Sequence, residues 1–190
     1  MLDSGSGCES AANQTPSDVD KLKNAKDNLE WIARFNISLN EDMERHYGFC
    51  DALCKIAVAM FGTYTFASLF IGKSVVYSVC GVIVTALSIL TLVVDFKDKQ
   101  VRAKSQRNRY YSVLSSVDSI NDESGCKAAN TLLREIGKDD LPSGTICDAL
   151  AVNAAIDQMG RDVTYKANVG AFKRMTRYVV PWGVPKYGHR

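Results

Sequence analysis

Two charge-free runs dominate the hydrophobicity pattern of this chain. Ile56 to Gly72 carries no charged residue, nor does Ser74 to Val94, and Lys73 stands alone between them. A helix crosses the hydrocarbon core of a bilayer with about 20 predominantly apolar residues, in a range of about 17–25. VVYSVCGVIVTALSILTLVV meets that length, and IAVAMFGTYTFASLFIG reaches its short end. The pattern predicts a transmembrane hairpin over 55–96, with spans at 56–72 and 74–94 and a minimal turn at Gly72-Lys73-Ser74. A buried helical hairpin in a soluble protein would give the same apolar runs. No other segment is apolar enough to cover both on all sides.

Upstream of the hairpin, Pro16-Ser17-Asp18 reads as a helix start, and Val19, Leu22, Ala25, Leu29 and Ile32 recur at helical spacing. This helix is expected to end near Asn36. Ser38-Leu39-Asn40-Glu41 has the pattern of a capping box, in which Ser and Glu side chains satisfy each other's free backbone donors. A second helix is therefore expected from about Leu39 straight into the first span, making residues 18–54 a cytoplasmic helical arm. Residues 1–17, rich in Ser, Gly and Asn, read as a disordered tail without the apolar core of a signal peptide.

Downstream, 96–120 contains neither Pro nor Gly, and Val101, Tyr111, Val113, Leu114 and Val117 supply an apolar seam. The second span is thus expected to continue unbroken from Ser74 to about Ile120, roughly 70 Å at 1.5 Å per residue. A turn follows at 121–125, then a helix over 126–136 with Ala129, Leu132, Leu133 and Ile136 inward and Gly137 as its C-cap. Further helices are expected over 145–159 and 161–178. Pro181-Trp182-Gly183-Val184-Pro185 stops regular structure and leaves 181–190 as a tail. No strand signal emerges. The expected fold class is an all-α membrane protein: a two-helix transmembrane hairpin with a cytoplasmic helical bundle, the second span continuing as a long cytoplasmic helix within a helical region at 97–180.

Charge sets the orientation. The net charge of +2 hides an asymmetry: 1–54 holds ten acids and five bases, whereas 95–110 holds six bases and two acids. Those bases are Lys97, Lys99, Arg102, Lys104, Arg107 and Arg109, all close behind the second span. Such a cluster marks the cytoplasmic side, and neighbouring carboxylates count little against it. Both termini are then cytoplasmic. The cluster is read as a topology anchor that also faces anionic lipid, at about 1 kcal/mol per charge near the surface. Mean hydropathy of −0.09 reads as soluble only because the spans are diluted by the rest of the chain.

Candidate chemistry is sparse. The six cysteines (Cys8, Cys50, Cys54, Cys80, Cys126 and Cys147) form no C-x-x-C pair, the two histidines His46 and His189 lack metal-ligand spacing, and free thiols are expected in a reducing compartment. Cys50 and Cys54 stand one helical turn apart, a spacing read as packing ahead of redox or lipidation chemistry. No catalytic motif or phosphate-binding loop is present, so no catalytic residues, cofactors or metal site are expected and the chain is read as a non-enzyme. Arg102, Arg107, Arg109, Tyr110 and Tyr111 have the composition of an anion-binding pocket but no pattern that places them together.

Within the membrane, Ser74, Ser78, Gly81, Thr85 and Ser88 recur at spacings of four and three, and Asp95 continues the line at the cytoplasmic end. Small and hydroxylated residues let helices approach closely and hydrogen-bond across the contact. Ala59, Thr63 and Ala67 offer a similar stripe on the first span. Two readings stay open: packing of the spans on each other within one hairpin, or a pore in which several hairpins turn this face toward a shared axis.

The layout resembles the SLATT-domain family, two-span effectors of bacterial nucleotide-signalling and SLOG-type antiphage systems. The resemblance covers about 20–185 and rests on the arm–hairpin–basic helix order, on KDKQVRAKSQRNRYY ahead of Leu114, and on Tyr178-Val179-Val180-Pro181. It implies a pore-forming or membrane-disrupting effector of abortive infection in the bacterial inner membrane, a homo-oligomer in the lipid bilayer opened by a signalling partner or a nucleotide second messenger, with no nucleic-acid partner. The alternative is a membrane-anchored scaffold whose cytoplasmic helices are a docking module without conductance.

Overall fold

The computed structural model describes residues 16–71, 74–161 and 166–177. Of the tail expected at 1–17, residues 1–15 lie outside the described residues and Pro16-Ser17 instead open a helix; the tail expected at 181–190, the turn residues Gly72 and Lys73, and Tyr178-Val179-Val180 also lie outside the described residues. Among the described residues six helices follow in order: α1 (Pro16–Ile71), α2 (Ser74–Val94), α3 (Phe96–Val117), α4 (Glu123–Gly137), α5 (Thr145–Gln158) and α6 (Ala171–Thr176).

α1 is the spine. Its 56 residues span about 84 Å, and α2, α3, α4 and α5 all pack on it. Pro16 stands at the first turn, where its missing N–H costs nothing, and neither Gly nor Pro recurs before Gly48. Acid-before-base pairs one turn apart brace the helix: Glu30–Arg34 at 2.7 Å, Glu41–Arg45 at 2.5 Å and Asp51–Lys55 at 2.7 Å. Each adds a few tenths of a kcal/mol, about 0.2–0.5.

The break expected between Asn36 and Leu39 does not occur. Ile37, Ser38, Leu39 and Asn40 are all buried in the middle of α1, and the Ser38-Leu39-Asn40-Glu41 pattern caps nothing. Ser38 Oγ instead accepts a 3.4 Å bond from Gln158 on α5. Asn36 and Asn40 return their side-chain amides to the carbonyls of Ile32 and Asn36, each at 2.9 Å. These residues keep the helix because neighbours cover them; packing outweighs a weak local preference to cap.

The second helix departs from expectation in the other direction. It breaks at Asp95, which takes left-handed backbone angles (φ 44°, ψ 62°) and separates α2 from α3. Asp tolerates that conformation better than most residues because its short side chain bonds locally. Here the Asp95 carboxylate accepts from Asp98 N at 3.0 Å and caps α3. The flanking ladder survives, with Asp95 N donating to Thr91 O at 3.1 Å and Lys99 N to Asp95 O at 3.2 Å.

Among the described residues, two apolar clusters hold the bundle of helices beyond the apolar stretches together. In the first, Leu29, Ala33 and Ile37 of α1 meet Tyr110, Val113 and Val117 of α3 and Cys126, Leu133 and Ile136 of α4. In the second, Leu39 and Met43 of α1 meet Ala103 of α3 and Cys147 and Ala151 of α5. Fully burying one such large side chain contributes about 1.5–3 kcal/mol. α4 begins at Glu123, earlier than expected, because Asp122 caps it through a 3.0 Å bond from Gly125 N. Leu132 is exposed rather than inward, and Gly137 ends the helix without a left-handed cap. α5 matches its expected range within a residue. Of the helix expected over 161–178, residues 166–170 are irregular and only α6 is helical among the described residues. Asn153 fixes the irregular part by clasping the Ala167 backbone, donating to its O at 2.8 Å and accepting from its N at 2.7 Å.

α1 and α2 each contain an apolar stretch long enough to cross a membrane, and only 6% of each stretch is buried. The other described helices do not wrap them, so the described residues do not supply the cover that a buried soluble hairpin requires.

Candidate functional site

The site is built on α2, whose positions separate into three faces at about 100° per residue. One face packs on α1: Cys80 is buried, and Val84, Leu87, Thr91 and Val94 are half-buried. Roughly a third of a turn away lies the hydroxyl stripe. Ser78 and Thr85 are exposed, Gly81 and Ser88 half-buried, and a Cβ built on Gly81 would meet nothing within 4 Å. Thr85 Oγ1 donates to Gly81 O at 2.9 Å, which satisfies its proton and leaves its lone pairs facing outward. Another third of a turn on come Val75, Val79, Val82, Ala86, Ile89 and Val93, all exposed. Ser74 opens α2, and its side chain lies outside the described residues.

Ser88 and Asp95 share a cavity at the end of the hairpin that adjoins α3. About 560 Å³ in volume, it is lined by Asp51, Cys54, Lys55 and Val58 of α1 and by Ser88, Thr91, Asp95 and Lys97 across from them. Asp51 and Lys55 pair at 2.7 Å on one wall. The cavity therefore carries two acids and two bases where the apolar spans meet the basic helix.

The basic cluster is divided by the fold. Arg107 is drawn into the bundle, where it pairs with Glu44 of α1 at 2.7 Å with both side chains largely covered. Arg109 reaches Asp139 at 3.1 Å, and Arg102 pairs with Asp98 on its own helix at 2.7 Å. Lys97 bonds Gln100 at 3.0 Å, and Lys99 lies 5.8 Å from the centre of the Tyr47 ring. Lys97, Arg102, Lys104 and Arg109 are exposed, so four bases of the cluster remain on the surface.

Arg102, Arg107, Arg109, Tyr110 and Tyr111 do not converge. Tyr110 is buried and its hydroxyl donates to Asp140 at 2.5 Å, while Tyr111 is exposed. Burial and the Asp140 bond push the Tyr110 phenol above its usual range. Burial likewise raises the Asp140 carboxyl, against the bonds from Tyr110 and Asn40 that favour its charged form. This pair staples α3 to the loop after α4. Glu44, Asp140 and Asn40 carried no sequence signal, because nothing in the local pattern says which helix lies opposite them.

A polar cavity of about 330 Å³ also went unsignalled. Arg45, Glu41 and Asp42 of α1 line it with Arg174 of α6 and Arg177, and Arg177 pairs with Asp42 at 2.7 Å. His46 lies near this ion pair, with Nε2 3.4 Å from Cys50 Sγ. Burial, aided by the Arg177 charge, holds the ring down at about 4, so it is neutral near pH 7. Among the described residues no group of His, Cys, Asp and Glu is arranged to hold a metal, and Cys50, Cys54, Cys80, Cys126 and Cys147 form no disulfide.

No family model, curated protein or solved structure matches this chain.

Proposed function

We propose that the chain is a pore-forming effector that works as a homo-oligomer in the bacterial inner membrane, with both termini cytoplasmic and opening driven by a cytoplasmic signal. The antiphage role follows the SLATT resemblance. One observation carries the pore reading: the hydroxyl stripe of α2 is turned away from α1. Ser78 and Thr85 are exposed and Gly81 faces open space, so the stripe does not serve as the buried face of the hairpin. In a membrane that face meets either lipid or a shared aqueous path, and polar groups inside bilayers turn toward bundle interiors or water-filled cavities.

In this reading Ser78, Thr85 and Ser88 line the path, and Asp95 lies at its cytoplasmic mouth. The exposed bases of 97–109 hold the cytoplasmic end at the lipid head groups. α1 carries a signal from the bundle to the spans because one unbroken helix belongs to both. The test is conductance of the purified protein in planar bilayers. Thr85→Leu is expected to lower single-channel conductance several-fold with membrane insertion unchanged. Ser88→Leu is expected to do the same with some loss of hairpin stability, since Ser88 also lines the cavity against α1. Full conductance in both variants would remove the stripe from the path; no conductance from the parent protein, with or without cytoplasmic extract, would favour a membrane-anchored scaffold.

A further inference from the structure

We infer that one copy of this chain docks on the next through two opposite faces of the hairpin, α2 of one copy packing against α1 of its neighbour. The inference rests on the pore reading and supplies its arrangement of copies.

The two faces are complementary in shape. On α2, Val75, Val79, Val82, Ala86, Ile89 and Val93 are exposed and repeat at four and three. A sustained spacing near 3.5 keeps a seam against another helix along its length. On α1, Ala59, Met60, Thr63, Tyr64 and Ala67 line an open groove of about 470 Å³. Its floor is small, and the Thr63 hydroxyl is already satisfied by Ala59 O at 2.8 Å. Small floors let helices approach closely in membranes.

The levels also match. Within one hairpin Val58 and Ser88 line the same cavity, as do Cys54 and Thr91, so residues equally far from the turn lie at one depth. That register sets Met60 level with Ala86, Thr63 with Val82 and Ala67 with Val79. At each level a large side chain of one face meets a small or short one of the other.

The occupant is a protein helix and not lipid alone. The α1 face continues as Phe49 and Leu53, which are 65% and 54% exposed beyond the charged collar of Asp51 and Lys55. Acyl chains do not reach those positions, whereas a neighbouring copy does. A second copy is singled out because each chain carries both halves, one on either side of the same hairpin. Such a contact is head-to-tail, and head-to-tail contacts close into rings when the rotation allows. The hydroxyl stripe lies about 100° from the α1 face of α2 and about 100° from its valine face. In a ring whose α1 helices cover those two faces from the outside, the stripe points to the axis.

Thiol crosslinking in native membranes tests the arrangement. Met60→Cys/Ala86→Cys and Thr63→Cys/Val82→Cys are compared with each single variant and with the parent, whose own cysteines set the background. Both double variants are expected to give a ladder ending at one closed size, and the singles to remain at background. Dimers from Met60→Cys alone would overturn the head-to-tail contact in favour of a two-fold α1–α1 contact, and the absence of a ladder in both double variants would overturn it outright. Conductance of the same preparations separates the two readings. Conductance without a ladder removes this interface and leaves the pore; a closed ladder without conductance in bilayers leaves the interface and removes the pore.

Discussion

α1 passes through two environments that treat the same side chains in opposite ways. In the bundle, Leu29, Ala33 and Ile37 are nearly inaccessible. About five turns further along the same helix, Ile56 and Met60 are 60% and 68% exposed. Both stretches are apolar and helical, yet only the first has partners from its own chain. The bundle buries its apolar residues inside one copy, whereas the hairpin leaves its apolar surface exposed, in the proposed reading to lipid and to other copies. Polar groups follow the same division in part: the bundle holds pairs between elements, such as Arg107–Glu44 and Tyr110–Asp140, while in the hairpin Thr63, Thr65, Thr85 and Thr91 donate to their own helix.

The largest test of this contrast uses one residue type on one helix. Ile37→Ala is expected to destabilise the bundle by about 2–5 kcal/mol through lost burial and the cavity left behind. Ile56→Ala is expected to change it by less than about 0.5 kcal/mol. Denaturant unfolding in detergent, read by bundle fluorescence, measures both, and similar losses would erase the contrast.

Next comes the ion pair between α1 and α3. Glu44→Ala leaves the mostly covered Arg107 guanidinium without its partner and is expected to cost about 1–3 kcal/mol. Asp98→Ala removes the exposed partner of Arg102 and should cost at most about 1 kcal/mol. A double-mutant cycle over Glu44 and Arg107 would return little coupling if the pair only decorated the surface.

The boundary between the regions is expected to respond at about 1–2 kcal/mol. Asp95→Ala removes the α3 cap and places a residue with no local hydrogen bond in a left-handed conformation. The relief is a straighter α2–α3, read as a longer distance between spin labels at Val93 and Lys104. Asp95→Asn keeps the cap and should leave that distance unchanged.

The smallest effect is a pH response confined to the bundle. The unfolded His46 ring gains a proton near pH 6.5, but the folded ring resists until about 4, so its contribution is complete above 6.5 and lost as pH falls toward 4. For a half-buried ring the loss is on the order of 1 kcal/mol after solvent screening. Asp140 works the other way, because its raised carboxyl favours the folded state at acid pH. His46→Gln should flatten the fall between pH 6.5 and 4; an unchanged slope would assign it to other groups.

By itself the sequence determined what depends on period, length and punctuation. The two charge-free runs became the apolar stretches of α1 and α2, the Pro-free stretches became helices, and α5 lies where the residues between Gly144 and Gly160 allow. Exposure of the spans was equally legible, since no other segment was apolar enough to cover them. Tertiary structure decided what depends on neighbours. Burial against α3 and α5 carried α1 straight through Ser38, although the local residues offered a cap. Asp95 bent a run that holds no Gly or Pro from Val82 to Ile120, as α2 and α3 both packed on α1. The hydroxyl stripe could be read from its spacing, but its direction could not. A helix pattern gives the angle between faces, and only the position of α1 says which face is already taken.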